Sequence, residues 1–299
     1  MGGAQYVHTF DKCFFMPSDL TAGLEYNRDR LKDNMWGYNR HTDQTVNIYS
    51  AFLQNEWKND RWGILIGGRL DKHNMVDNVI FSPRANLRFN PTQNINLRLS
   101  YSSGFRAPQA FDEDMHIENV GGTVAMIERA KDLKEEKSQS FSVSADMYHR
   151  FGAFQTNLLI EGFYTRLTDV FVLGKPYDRG DGILVKTRSN GPGAKVMGLT
   201  LEGKVAYLSI LQIQAGLTLQ RSRYDEPHKW HDDAPAEKKI FRTPDTYGYF
   251  TATCTPIKPL SIALSGTYTG RMLVQRMDIT AENAELGKMP ERKAEAIRT

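Results

Sequence analysis

Two segments of this sequence have the residue types to do chemistry. The first is Phe111-Asp112-Glu113-Asp114 followed by His116. Its three carboxylates are the ligand type that Ca²⁺ takes. The spacing lacks the turn glycine and distal glutamate of a dedicated calcium loop, so a solvated acidic strand end is the favoured reading. The second is His228, His231, Asp232 and Asp233 around Trp230, a set that could catch a metal or a metal chelate. Loop histidines are ordinarily just exposed, and no resident metal is assigned. As a docking surface the segment is more credible. Tyr224, Trp230 and His231, with Tyr177, Arg179 and Arg188 from an earlier segment, would supply aromatic and cationic contacts. Those contacts suit an anionic or aromatic-rich chelate.

Other chemistry is missing from the sequence. There is no G-x-S-x-G, no P-loop and no H-E-x-x-H, and no enzyme activity or cofactor is expected. Cys13 and Cys254 lie far apart without ligand spacing, which argues against a structural zinc or a disulfide framework. Thirty-eight Lys and Arg against 35 Asp and Glu give a net charge of +3, too balanced to point to nucleic acid.

The elements that must carry these segments announce themselves by a period of two. Ile95, Leu97, Leu99 and Tyr101 alternate with Asn96, Arg98, Ser100 and Ser102. Phe141, Val143, Ala145 and Met147 alternate with Ser140, Ser142, Ser144 and Asp146. The same alternation runs through Leu20–Tyr26, Trp62–Arg69, Arg84–Phe89, Leu199–Tyr207, Leu211–Gln220 and Leu260–Tyr268. These strands run to about 9–14 residues, where globular strands average about 5–6. Their polar face carries arginine and amides. Both features fit strands that cross a bilayer with the polar side toward a wet lumen. The hydrophobic fraction of 40% and mean hydropathy of −0.50 do not oppose this. A transmembrane strand needs only every second residue to be apolar, so averaging hides it.

Connections sort by length. Short turns fall at 58–61, 90–93, 150–153, 208–210 and 256–259; between them lie long polar connections at 28–43, 73–80, 104–137, 168–195 and 222–244. Strict alternation of short and long is what an up-and-down meander gives when all its long loops share one end, as outer-membrane barrels do. A sandwich has no reason to sort loops this way. The pattern predicts about twelve strands. Trp57 and Trp62 flank one short turn, and Phe89, Phe151 and Tyr207 sit near others, where an interfacial aromatic girdle would lie.

Three consecutive hairpin segments then carry a family resemblance. Ile64-Leu65-Ile66-Gly67-Gly68-Arg69-Leu70-Asp71 resembles the G-x-R-x-D strand of TonB-dependent outer-membrane receptors. Phe81-Ser82-Pro83-Arg84 through Asn90-Pro91-Thr92 resembles their next strand and turn, and Gly104-Phe105-Arg106-Ala107-Pro108 resembles the G-F-R-A-P strand end that follows. Glu135-Glu136-Lys137-Ser138 resembles the family's L-x-P-E-x-S lead-in to the next strand but lacks its proline. The likeness covers about residues 18–275 and is nearest to receptors of the Bacteroidetes type, of the vitamin B12 and iron-siderophore class.

The resemblance implies an all-β, antiparallel up-and-down transmembrane barrel, of which this chain would build roughly the C-terminal half of about 22 strands. Residues 1–275 would be barrel and 276–299 an atypical polar tail. It implies energy-coupled uptake of an iron-siderophore complex or cobalamin in the outer membrane, with barrel lipid around it. Force would come from the TonB complex through a segment, and a plug, that these residues are not expected to contain. No signal peptide is expected at Met1. Arg106, on the same parity as Asn96 and Arg98, would face the plug or the ligand path; read from its neighbours alone, it is a lumen arginine paired with a carboxylate. Two other readings share the alternation: a passive porin or adhesin barrel, and a soluble all-β binding module with its polar face in solvent.

Overall fold

The computed structural model describes residues 1–38, 40–109, 118–120, 123–180, 184–229, 235–279 and 292–298. Nineteen strands and one 3₁₀ turn, Trp36–Tyr38, make up the described regular structure. In chain order the strands are β1 Gly2–Cys13, β2 Met16–Met35, β3 Arg40–Lys58, β4 Trp62–His73, β5 Ile80–Thr92 and β6 Ile95–Arg106. Then come β7 Glu118–Val120, β8 Thr123–Arg129, β9 Glu136–Phe151, β10 Phe154–Thr168, β11 Phe171–Asp178 and β12 Leu184–Asn190. The last are β13 Ala194–Tyr207, β14 Leu211–His228, β15 Glu237–Lys239, β16 Thr246–Ile257, β17 Leu260–Thr269, β18 Leu273–Ile279 and β19 Arg292–Arg298.

Twelve of these form one antiparallel path, β1-β2-β3-β4-β5-β6-β9-β10-β13-β14-β16-β17, with β15 paired to β14 at its side. Every neighbour in the path is the next long strand in sequence, which is the expected meander. Its register separates two faces. Leu99 pairs with Leu87 and Val143, and Leu217 pairs with Leu201, so apolar side chains align across strands. The apolar face is open: Leu24 is 66% exposed, Leu99 51%, Val143 59% and Leu264 63%. A band of that size left to water would be an aggregation surface, whereas against lipid it is the expected outside of a barrel.

The short turns at 14–15, 59–61, 93–94, 152–153, 208–210 and 258–259 all lie at one end. Ring pairs collect there: Phe15 on Trp57 at 5.7 Å, Trp62 on Phe89 at 4.3 Å and Phe154 on Tyr207 at 4.7 Å. A second tier, Tyr26 on Tyr49 at 4.9 Å and Tyr101 by Phe141 at 4.7 Å, marks the other side of the greasy band. Gly68 serves this outer face: a Cβ there would lie 2.5 Å from the Phe81 ring, which crosses over it. At the short-turn end Gly152 has φ +55°, the left-handed conformation a two-residue hairpin needs.

The long connections differ from expectation, because they hold strands. β2 and β3 are 20 and 19 residues long and stay in unbroken register from Ser18↔Trp57 to Met35↔Arg40. The segment 28–43 is therefore mostly hairpin extending past the bilayer. The connections 104–137 and 168–195 contribute β7, β8, β11 and β12, which form a second sheet in the order β11-β12-β8-β7, parallel at β12/β8. Buried apolar side chains gather at this end. Met126 and Val185 lie inside the second sheet's layer at 1% and 0% exposure, and Val76, Ile80 and Ala107 cluster beside Phe105. Residues 273–279 and 292–298 pair as a separate two-stranded sheet outside the main path.

Candidate functional site

The lumenal face is polar and ordered by ion pairs. Arg69 on β4 reaches sideways and back. Its Nη1 meets Glu25 Oε2 at 2.7 Å, its Nε meets Asp71 Oδ1 at 2.8 Å, and its Nη2 donates to Ser50 Oγ at 2.7 Å. Ser50 in turn donates to Asp71 at 2.6 Å, and both are buried. β2, β3 and β4 are thus tied along the lumenal face by a network in which each acceptor has a donor. Beside it lies a groove of about 500 Å³ lined by Glu25, Phe52, Arg69, Ser82, Arg84 and Ser102. Toward the short-turn end a second network joins Glu202, Lys204, Gln214 and Tyr249. The Tyr249 hydroxyl donates to Glu202 at 2.6 Å, and Lys204 pairs with Glu202 at 2.9 Å.

On β5 and β6 the lumenal parity carries Arg84, Arg88, Arg98 and Arg106, and neither strand contains a carboxylate. Arg88 and Arg98 stand directly opposite one another. Like charges in that position cost stability. Arg88 leans on the carbonyls of Asn59 and Trp62, and Arg98 on Asn96 Oδ1 at 2.7 Å. This gives the wall a positive stripe running from one end of the lumen to the other.

The second sheet packs on the lumenal side of the long-loop end. Arg129 of β8 donates to Gln44 Oε1 at 2.8 Å and to the Pro108 carbonyl at 2.9 Å. Gln44 shares the parity of Ser50, so this contact fixes the sheet inside the wall. The amide of Phe171 donates to Glu136 at 2.9 Å, and the Arg106 guanidinium lies over the Phe171 ring at 5.5 Å. His73 is fully buried at the same level. The Met75 amide donates to its Nδ1 at 3.0 Å, which leaves Nε2–H to donate to Gln109 at 3.3 Å.

The residues expected to touch a ligand separate into groups. Arg106 is lumenal and engaged with Phe171. Tyr177 is exposed on β11, and Arg179 just after it pairs with Glu128 at 3.7 Å. Arg188 is 5% exposed, held within the second sheet. Tyr224 lies on β14 beyond the bilayer band with its ring 5.6 Å from His228. Burial, with Glu136 nearby, raises the Tyr224 phenol above its usual range; burial lowers His228, which keeps its imidazole neutral at pH 7. The structure therefore brings Arg106, Tyr177, Arg179 and Arg188 to one sheet and its support, with Tyr224 on the adjoining long strand. Trp230 and His231 lie outside the described residues, as do Asp232, Asp233 and the 111–116 acidic segment. Among the described residues no group of three or more metal-ligating side chains converges.

Comparison with known proteins settles the family. The family model described as "TonB dependent receptor-like, beta-barrel" matches residues 3–278. The chain belongs to that family. TonB-dependent receptor barrels are outer-membrane receptors and transporters rather than enzymes. The fold agrees with solved members. The chain is similar to the siderophore receptor PirA from Acinetobacter baumannii (TM-score 0.68, 16% identity, 99% of this chain and 46% of that one). It is also similar to a variant of the ferric enterobactin receptor PfeA from Pseudomonas aeruginosa (TM-score 0.67, 17% identity, 99% and 45%). In sequence it is 23% identical over 206 residues to a probable hemoglobin and hemoglobin-haptoglobin-binding protein of Haemophilus influenzae, covering 67% of this chain and 18% of that protein. The chain thus spans about half of the solved receptors it resembles and a smaller share of this relative.

Several contacts that order this barrel are not apparent in the sequence. Arg129, which anchors the second sheet, sits in a stretch without alternation. The Arg166–Asp225 pair, at 2.8 Å, joins β10 to β14 across β13, a contact that no local pattern announces. Glu25 and Asp71 share the lumenal parity with Arg69, and that parity is the one signal by which their cluster could be read from sequence.

Proposed function

We propose that this chain is wall and vestibule of an outer-membrane receptor for energy-coupled uptake of an anionic iron chelate. The observation that carries the proposal is the arginine stripe on β5 and β6, with Arg88 and Arg98 directly opposed; neither strand has a carboxylate, and Glu136 of β9 faces Arg106 at the long-loop end. A wall that tolerates such repulsion between neighbouring strands gains from a negative partner against its lumenal face. Ferric siderophores and haem carry negative charge, and the similar proteins include siderophore receptors and a hemoglobin-binding protein. Cobalamin, the other ligand the family resemblance implies, has no comparable negative charge. Loops and second sheet would capture the chelate; a plug, moved by TonB-transmitted force, would let it pass. Plug and TonB contact would come from outside residues 1–275, with 276–299 as a polar tail.

Equilibrium dialysis of the receptor containing these residues tests the reading, using a ferric catecholate, a ferric hydroxamate, haem and cobalamin. An iron chelate should bind, and the double substitution Arg84→Gln/Arg106→Gln should weaken it about tenfold, as expected for two lost charge-assisted contacts. Preferential cobalamin binding, or equal affinity in the double variant, contradicts it. A conductance that stays open without ligand supports the passive porin instead.

A further inference from the structure

The extended part of β2 sorts its charges by face. From Tyr26 the sequence reads Asn27-Arg28-Asp29-Arg30-Leu31-Lys32-Asp33. The register with β3 is unbroken over this stretch, so parity is preserved. Arg28, Arg30 and Lys32 therefore continue the outward row of Leu20, Ala22, Leu24 and Tyr26, and all three are exposed. Asp29 and Asp33 continue the lumenal row of Glu25. The outward row thus reads apolar, then aromatic, then cationic, from bilayer to exterior.

The neighbours on that face define its charge. On β3 the outward row opposite is Asn47, Thr45, Asp43 and His41. Asp43 is taken by Arg30 through two contacts, Nε at 3.1 Å and Nη2 at 2.7 Å. Asn47 accepts from the Tyr26 hydroxyl at 2.9 Å, and His41 Nδ1 meets Asn34 at 3.1 Å. On β4 the outward Lys72 is committed to the carbonyls of Val76 and Asp77. Arg28 and Lys32 flank the Arg30–Asp43 pair; Lys32 stands opposite Asp43 and its charge acts on that carboxylate, but no side-chain hydrogen bond holds either cation among the described residues.

Position decides the partner. At about 3.3 Å per residue and a tilt near 40°, the three cations lie roughly 5 to 15 Å beyond the Tyr26–Tyr49 girdle. That is the level of the outer-leaflet headgroups and their first sugars. We propose that Arg28 and Lys32, held apart by the Arg30–Asp43 pair, form an outward-facing site for the phosphates of an anionic glycolipid of the outer leaflet. Its acyl chains would lie along the greasy row of the same strand, below Tyr26. The inference rests on the family's outer-membrane barrel; it does not depend on which chelate the receptor takes.

Mass spectrometry and titration on the full-length receptor that contains these residues, purified in detergent, test the site. The probe is a phosphorylated outer-leaflet glycolipid, compared with the same glycolipid after phosphatase treatment. A surface cation contributes about fivefold to binding at an anionic membrane, so Arg28→Gln/Lys32→Gln should lose about five- to thirtyfold in affinity. Asp29→Asn/Asp33→Asn, on the opposite face, should stay within twofold of wild type. Wild type should prefer the phosphorylated form by at least fivefold. This last comparison needs no variant and decides the matter if the double substitution fails to fold. Equal affinity for both glycolipid forms, or an unchanged Arg28→Gln/Lys32→Gln receptor, overturns the proposal. A receptor that shows the phosphate preference yet binds no ferric chelate sinks the uptake reading and leaves this one standing.

Discussion

Arg69 shows how one residue in this barrel does several jobs. It bridges Glu25, Ser50 and Asp71 from three strands, and Asp71 is 3% exposed. Removing the guanidinium leaves a buried carboxylate with Ser50 as its remaining side-chain donor among the described residues, and an under-satisfied buried acceptor costs about 1–3 kcal/mol. Arg69→Ala should lower the urea midpoint of the membrane-inserted barrel by a corresponding amount. Arg30→Ala, whose pair with Asp43 is exposed on the outer face, should shift it much less. Equal shifts would mean that the lumenal network does not couple the three strands. The sequence marks Arg69 and Asp71 as a motif, and it marks Arg106 as lumenal by parity. It does not show that Arg188 is buried or that Arg129 pins the second sheet, because those depend on how segments far apart in sequence meet.

At the scale of elements, what was legible was whatever the bilayer imposes. A lipid face demands strict alternation, so strands such as Ile95–Arg106 and Leu211–His228 declare themselves at their lower halves. Above the bilayer that demand ends. The upper β2–β3 hairpin alternates charge with charge, and a hydrophobic period is blind to it. The second sheet is assembled from two separate connections, with β12 and β8 parallel. No turn signal links those strands, and so 104–137 and 168–195 read as loops. Loop length, by contrast, sorted correctly by end, because hairpin turns need only a few residues and carry their own signature in Gly152 and the Asn59–Arg61 corner.

At the scale of the molecule, β1 pairs with β2 alone and β17 with β16 alone among the described residues. An open sheet edge is not tolerated in hydrocarbon, where unpaired backbone groups find no water. The 299 residues by themselves are therefore expected to aggregate on refolding into detergent. A heat-modifiable monomer band on a gel would show instead that the sheet closes on itself.

The two-faced wall can be read directly by spin labels in the outer membrane. With Cys13 and Cys254 replaced by serine, single cysteines at Leu97, Leu99 and Val143 and at Ser100, Ser102 and Ser142 of the receptor each carry a nitroxide. The first three should collide preferentially with lipid-soluble oxygen and the second three should not, giving a period of two along β6 and β9. Uniform access by a water-soluble nickel chelate at all six positions would contradict the transmembrane wall and restore the soluble β module.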